Sequence, residues 1–152
     1  MKEIQHKCYG GQSMFEVVLA LFIMAMIIVG VVFLSTNSIA NSSFSKNKTI
    51  AGRYSQEAVE WLRGQRDSDS TLFKTNAVGS YCFDSSILTW SNSGLCSSGE
   101  LLNNLFKREV TFTTTTITGK NLIEAKVVTS WNDSKGTHQS KSVTQFTDIR
   151  EK

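Results

Sequence analysis

The chain contains no proline, two histidines and three cysteines among its 152 residues. Without proline, which removes a backbone donor and breaks helices, only glycine and turn-forming residues remain to end a helix. The histidines, His6 and His138, are far apart in sequence. Neither belongs to a Cys-His arrangement with a third orienting group or to a metal-ligand spacing. The composition therefore predicts no catalytic residues, no metal site and no cofactor, and we expect His138 to be a solvated turn residue.

Other site signatures are also missing. Asp67, Asp69 and Asp84 are separated by loop, whereas a calcium loop alternates its acidic residues more densely and closes with a glutamate. Gly10-Gly11 follows no strand and so does not form a phosphate-binding loop. The net charge of +3 is too small to indicate a nucleic-acid partner. We therefore expect a protein that is not an enzyme.

The outstanding positive feature is the apolar run from Val17 to Leu34, eighteen residues long. This is longer than the roughly 7 to 15 residues of a signal-peptide core and close to the roughly 20 that span a bilayer. The run predicts a membrane anchor that is kept in the mature protein. Basic residues flank it almost equally, and the shorter N-terminal flank is favoured as the cytoplasmic side.

Glu16 lies directly before the apolar run. A charge at bilayer depth costs about 2.5 to 3.5 kcal/mol on insertion scales, so such a residue calls for a partner. If the chain is cut after Gly11, the new amino group of Gln12 lies one helical turn from Glu16 of the same chain or of a neighbour. The alternative is an ordinary signal anchor whose Glu16 reaches back to the membrane interface.

The segment Gly11-Gln-Ser-Met-Phe-Glu16 and the apolar run resemble the type IV prepilins. In that family the leader ends in glycine, the fifth mature residue is glutamate, and the next twenty or so positions are apolar. The resemblance implies a leader at residues 1–11, peptidase cleavage between Gly11 and Gln12, N-methylation of Gln12 and an assembly charge at Glu16. Gln12 stands where phenylalanine is usual. The family's common helix-breaking proline is absent, which argues against the bulk filament subunit.

The helix is predicted to continue from Gln12 to about Arg66, because residues 35–48 contain neither proline nor glycine. We divide it into a transmembrane and assembly half at 12–34 and an exported amphipathic half at 35–66. In the exported half, one apolar stripe recurs at helical spacing and could face a sheet; it comprises Ile50, Tyr54, Ala58, Trp61 and Leu62. Surface ion pairs are expected between Arg53 and Glu57 and between Glu60 and Arg63. Breakers at 64–71 should end the helix.

Residues 67–152 are predicted to form a β-rich head. Strands are expected at 81–83, 87–90, 109–118 and 123–131, the last with strict alternation of buried and exposed positions. Turns are expected at 118–121 and 132–136, and a short helical turn at 101–107. In the segment 137–148, Val143 and Phe146 have opposite parity, so either a bulge intervenes or one of the two is exposed. The fold class is α+β, and the resemblance implies a pilin-type fold with three or four antiparallel strands.

The cysteines fit an exported head. Cys8 lies in the predicted leader, which leaves Cys82 and Cys96 as the pair in the exported region, in keeping with an oxidising compartment. Closing their fifteen-residue loop would stabilise the fold by about 3 kcal/mol in the chain-entropy model. The resemblance implies a disulfide in this C-terminal region, and two unpaired buried thiols are the alternative.

The segment 57–69 resembles the helix end of a group of bacterial minor pilins. A functional hypothesis is that Arg63 and Arg66 contact a neighbouring subunit or DNA. Solvated or intramolecularly paired arginines are the favoured alternative, because isolated surface ion pairs usually contribute little.

The resemblance implies a minor pilin of a type IV pilus as the function. The implied partners are other pilin subunits, the prepilin peptidase and the inner-membrane assembly platform. The chain would be a single-pass protein of the cytoplasmic membrane, N-terminus inside, and would move to a surface pilus on assembly. Three alternatives stay open: a type II secretion pseudopilin, an unprocessed membrane-anchored binding domain, and a role in DNA uptake. The last is disfavoured because the charge falls from +3 to +2 once Lys2, Lys7 and Glu3 are removed.

Overall fold

A computed structural model describes residues 13–117 and 120–147. The elements follow in the order α1 (Met14–Ser68), α2 (Ser70–Asn76), β1 (Ser80–Cys82), β2 (Phe106–Ile117), β3 (Lys120–Asp133) and β4 (Gly136–Thr147). The chain divides into two compact units, Met1–Ser43 and Phe44–Lys152. The long helix belongs to both units.

The first unit contains the N-terminal part of α1. The helix begins where the carbonyl of Ser13 accepts hydrogen bonds from the backbone N–H groups of Glu16 and Val17, at 2.9 and 3.4 Å. No side chain of residues 13–38 is buried. Hydrophobic contact within the chain therefore does not explain this part of the helix.

The second unit packs residues 44–68 of α1 against a four-stranded antiparallel sheet in the order β1-β2-β3-β4. The four strands are neighbours in sequence order, and a tight turn joins β3 to β4. The structure thus confirms the α+β class and the long helix packed on an antiparallel sheet.

Alternation along the strands builds the core. Val110 and Phe112 of β2 and Ala125 and Val127 of β3 point toward the helix and are buried, while the residues between them are less so. The helix meets them with small side chains, since Ala51, Ser55 and Ala58 are all buried. The hydroxyls of Ser55 and Thr129 form a buried hydrogen bond of 2.8 Å across this contact. Small residues therefore bring the helix backbone close to the sheet.

The structure also contains a short helix that the sequence did not predict. In α2, the side chain of Asp69 accepts hydrogen bonds from the backbone N–H groups of Thr71 and Leu72, both at 2.9 Å, and caps the first turn. Phe73 is the buried residue of this helix and joins the main core. The breakers ended α1 at Ser68 but did not prevent a second helix from starting immediately.

Two predictions between β1 and β2 are wrong. Residues 87–90 form no strand; instead Leu88 and Trp90 are partly buried against the main core. Residues 101–107 form no helical turn, because Asn103 and Asn104 adopt left-handed backbone angles and β2 begins at Phe106. In both cases the apolar residues pack against the core from a loop rather than from a strand or a helix.

Val143 and Phe146, which lie on opposite faces of the last strand, differ in their exposure. β4 pairs with β3 in one unbroken register from Leu122 opposite Thr147 to Asp133 opposite Gly136, so no bulge intervenes. Phe146 is buried, whereas Val143 lies on the outer face with 46% of its surface exposed.

Candidate functional site

Glu16, the predicted assembly charge, lies in the first turn of α1 and is exposed. A negative charge is favourable there, since the helix dipole places partial positive charge at this end. Among the described residues no basic group forms an ion pair with its carboxylate. Gly11 and Gln12, the predicted cleavage and methylation positions, lie outside the described residues.

The apolar run beside Glu16 has the length and composition of a membrane-crossing segment. Its most apolar eighteen-residue window has a mean hydropathy of 3.2, and none of that window is buried within the structure. A central helix of a soluble domain can be equally apolar, but it would be mostly covered by its own chain. A signal sequence near an N-terminus meets the same criterion.

One side of this helix carries a shallow groove. It is bounded by large side chains at a 4-3-4 spacing, Phe22, Met26, Val29 and Phe33, and it includes Ala25 and Gly30. A Cβ atom on Gly30 would meet no other atom within 4 Å. The fold of this chain therefore does not require the glycine, although glycine in a helix interior costs about 1 kcal/mol relative to alanine.

The two arginines that the sequence singled out bind their own chain. Arg63 Nη1 lies 2.5 Å from Glu60 Oε1, as predicted for that surface pair. Arg66 donates from Nε and Nη2 to Asp67 Oδ1, at 2.9 and 2.7 Å, and its guanidinium lies 5.4 Å from the ring centre of Phe146. Both arginines are thus paired with acidic residues of their own chain, as the favoured alternative stated.

The predicted pair between Arg53 and Glu57 does not form, because Glu57 binds a different arginine. Arg108 of β2 is fully buried, and its Nη1 lies 3.0 Å from Glu57 Oε2. The same guanidinium donates to three backbone carbonyls, those of Tyr54, Phe83 and Ser85, at 3.3, 3.2 and 2.8 Å. Arg108 therefore joins the helix, the sheet and the loop after β1.

Burial and ion pairing shift the pKa of Arg108 in opposite directions. Burial lowers the pKa of its guanidinium, and the neighbouring carboxylate of Glu57 opposes that shift. Sequence reasoning missed this residue, although a signal was present. The alternation Phe106-Lys-Arg108-Glu-Val110 places Arg108 on the same face as two core residues. A charged residue at such a position is buried only when it is paired, so a partner could have been sought.

Cys82 and Cys96 are joined in a disulfide, with their Cα atoms 4.9 Å apart. Cys82 is buried at the end of β1, and the backbone N–H of Cys96 donates to Glu109 Oε1 at 2.9 Å. The residues before Cys96 run beside β1 through a bridge between Tyr81 and Ser93. The disulfide therefore closes a loop that lies along the edge of the sheet.

His138 is not the solvated turn residue that we expected. It is half-buried at the start of β4, and its Nε2 lies 2.9 Å from Asp133 Oδ1. Its ring is edge-on to Phe44 at 4.9 Å and lies 5.4 Å from the ring of Trp131. The tight turn between β3 and β4 brings these groups together. In the described ranges no three His, Cys, Asp or Glu side chains are grouped so that they could hold a metal ion.

Comparison with known proteins adds no assignment: no protein-family model matches this chain, and no curated protein or solved structure is similar enough to count as a match.

Proposed function

We propose that this chain is a minor pilin, a structural subunit that is cut by a prepilin peptidase and assembled into a type IV pilus or at its tip. The observation that carries the proposal is the apolar helix of residues 17–34, which the described residues leave uncovered. Glu16 lies at its start, and no basic group among residues 13–117 and 120–147 pairs with its carboxylate. A helix with these two features is suited to two environments in turn, first a bilayer and then a bundle of identical helices.

The assembly step follows from electrostatics. Cleavage after Gly11 would create a positive amino group at Gln12, the residue expected to be methylated. In a helix bundle, Glu16 would be removed from water, and a buried charge is strongly unfavourable unless it is paired. Pairing with the amino terminus of a neighbouring subunit removes that penalty only at one axial register. Glu16 would thus set the position of each new subunit in the filament.

The head supports a structural role. The α+β unit, with a helix packed on a four-stranded antiparallel sheet, agrees with the pilin-type fold that the resemblance implies. In this proposal the chain first resides in the cytoplasmic membrane with its N-terminus inside, and later at the cell surface. Its partners are other pilin subunits, the peptidase and the membrane assembly platform. DNA remains a secondary candidate ligand, with both predicted contact arginines already bound to acidic residues of the chain.

Two rival functions predict different outcomes. A pseudopilin of a type II secretion system would be processed in the same way but would not form long surface filaments. A membrane-anchored binding domain would never be cut. Intact-mass measurement of the protein from the membrane fraction separates the last case, since a chain that still begins at Met1 contradicts assembly.

The test compares three variants in the native cell. Gly11→Ala should block cleavage and leave the full mass. Glu16→Ala should be cut normally, but its amount in sheared filaments should fall tenfold or more. The amino terminus of the neighbouring subunit would then be buried without its acidic partner, and an unpaired buried charge is strongly unfavourable. Glu60→Ala, which removes an exposed carboxylate elsewhere on α1, is the matched control and should behave as wild type. Full incorporation of the Glu16→Ala chain would refute the proposal.

A further inference from the structure

A cavity lies between α2 and the sheet. Its volume is about 140 Å³, and its lining comes from the last turn of α1, from α2 and from β2, β3 and β4. A cavity of about 150 Å³ can hold a benzene ring, so this one has room for one small organic molecule. All of its described lining residues belong to the unit that begins at Phe44.

The inner wall of the cavity is apolar. It is formed by Phe73, Ile123 and Phe146, which are all buried. The rings of Phe73 and Phe146 meet edge-on with their centres 4.9 Å apart. An apolar group placed against this wall would leave water without giving up a hydrogen bond, which is favourable.

The opening of the cavity is polar and positively charged. Arg66 is half-buried and Lys74 is exposed, and none of the described lining residues is acidic. Exposed hydroxyl and amide groups complete the opening, those of Ser70, Thr114, Asn121 and Thr147. All of these side chains can donate hydrogen bonds, and an ionised carboxylate only accepts them. The opening therefore suits an anion better than a cation.

Arg66 brings the charged opening close to the apolar wall. The central carbon of its guanidinium lies 5.4 Å from the ring centre of Phe146, so one small molecule can reach both. Asp67 accepts hydrogen bonds from Nε and Nη2 of this arginine, which fixes the guanidinium. Within residues 13–117 and 120–147 no hydrogen bond uses Nη1, which leaves its N–H groups for a ligand.

We propose that this cavity binds a small amphipathic carboxylate, an organic acid about the size of benzoic acid. Its apolar body lies against Phe73 and Phe146, and its carboxylate lies at the opening, where Arg66 and Lys74 donate to it. Ligand sites combine an apolar lining with a few polar groups that fix the orientation of the ligand. The site belongs to the head and does not depend on the proposed role in a pilus.

Three related probes test which parts of a ligand the cavity recognises. The full chain is labelled with ¹⁵N and purified in micelles of an uncharged detergent, and the amide signals of Ile123 and Phe146 are followed during titration. Affinities are compared at equal free concentrations of probe in the aqueous phase. Benzoate should bind at least about tenfold more tightly than acetate, which lacks the ring. It should bind at least about fivefold more tightly than benzyl alcohol, which lacks the charge.

Each probe gives a result that would contradict the proposal. Equal affinities for benzoate and acetate would show that the apolar wall is not used. Equal affinities for benzoate and benzyl alcohol would show that the cations are not used. Benzoate that leaves both amide signals unmoved would overturn the site itself.

Charge variants test the two basic residues. Arg66→Gln and Lys74→Gln should each weaken benzoate binding by about 3- to 10-fold, between the values for exposed ion pairs and for hydrogen bonds to charged groups. Arg63→Gln is the matched control, because it removes a basic residue of the same helix that does not line the cavity. An equal effect of all three variants would mean that only the overall charge of the head matters, which would overturn the site.

A matched pair of larger side chains tests the location without changing charge. Thr114→Phe fills the cavity and should weaken benzoate binding by about tenfold or more, the contribution of the ring that it displaces. Thr113→Phe adds the same side chain to the exposed outer face of β2 and should leave the dissociation constant unchanged. Unchanged binding by the Thr114→Phe protein would place the benzoate elsewhere and overturn the proposal.

Discussion

At the scale of single residues, Arg108 binds more of the head together than any surface ion pair does. Its guanidinium has no exposed surface and binds three carbonyls and one carboxylate, which belong to α1 and to the loop after β1. Replacing it leaves the three carbonyls without this donor, whereas the Glu57 carboxylate, with 48% of its side chain exposed, can still bind water. The arginine therefore contributes to stability mainly through the groups that it satisfies, rather than through its charge alone.

We expect Arg108→Ala to lower the free energy of unfolding by about 3 to 5 kcal/mol, because three carbonyls lose a donor and each buried group left unsatisfied costs about 1 to 3 kcal/mol. Arg63→Ala is the matched control, because its ion pair with Glu60 is exposed, and it should cost less than about 1 kcal/mol. Urea titrations monitored by tryptophan fluorescence measure both. If the two variants lose equal stability, Arg108 does not have the structural role described.

The residue scale also shows what the sequence could and could not predict. The role of Glu16 stays a prediction, made because a charge beside a long apolar run is unfavourable in a membrane unless it has a partner. Arg63 was paired correctly with Glu60, since both lie on one helix. Glu57 was assigned to Arg53 because the competing Arg108 is distant in sequence. Contacts within one element follow from spacing, whereas a contact between elements depends on a register that spacing does not contain.

At the scale of elements, the same limit explains the errors between β1 and β2. The apolar residues 87–90 look like a strand by propensity, but Trp90 instead packs its ring against Trp61 and Tyr81, at 5.0 and 5.2 Å. The short helix α2 was missed because the breakers before it also make a good helix cap at Asp69. β3 was predicted well, since its alternation persists through a complete strand with one buried face.

The hairpin between β3 and β4 should make stability depend on acid pH. The pKa of Asp133 lies below its ordinary value, first because the backbone N–H of Lys135 donates to the carboxylate and also because His138 is close. A carboxylate with a lowered folded pKa stabilises the fold above its unfolded pKa and loses that contribution as pH falls through the folded value. Wild type should therefore be more stable than Asp133→Asn at pH 6, and the difference should shrink as the pH falls through the lowered folded pKa of Asp133.

The comparison is made by urea unfolding at several pH values. The difference between the two proteins isolates Asp133, because Glu100, whose pKa is also lowered, is present in both and cancels. A stability difference that stays constant down to pH 2 would show that Asp133 acts through packing rather than through its ionisation.

At the scale of the molecule, the two units differ in how far their apolar side chains are buried. Every buried residue among those described lies in the unit that begins at Phe44, whereas the large apolar side chains of the first unit are exposed. The unit that begins at Phe44 therefore contains its own core, whereas no burial among the described residues accounts for the apolar half of α1. Composition shows that apolar residues are concentrated before residue 35, but it does not show that the second compact unit begins at Phe44, since the sequence placed the start of the head at residue 67.

A truncation series tests this independence and locates its boundary. A fragment of residues 41–152 should fold in water without detergent, form the Cys82–Cys96 disulfide, and match the melting temperature of the full chain in micelles. A fragment of residues 46–152 loses Phe44, whose ring lies 6.0 Å from Trp131 and 4.9 Å from His138. It should be less stable by about 1 to 2 kcal/mol, the value of one or two aromatic contacts together with partial burial.

Equal melting temperatures for the two fragments would place the boundary of the head after Phe44. Failure of both to fold would mean that the head depends on the preceding apolar helix. Only the graded result agrees with a core that begins at Phe44, because that ring closes the end of the helix-sheet contact where Trp131 and His138 meet α1.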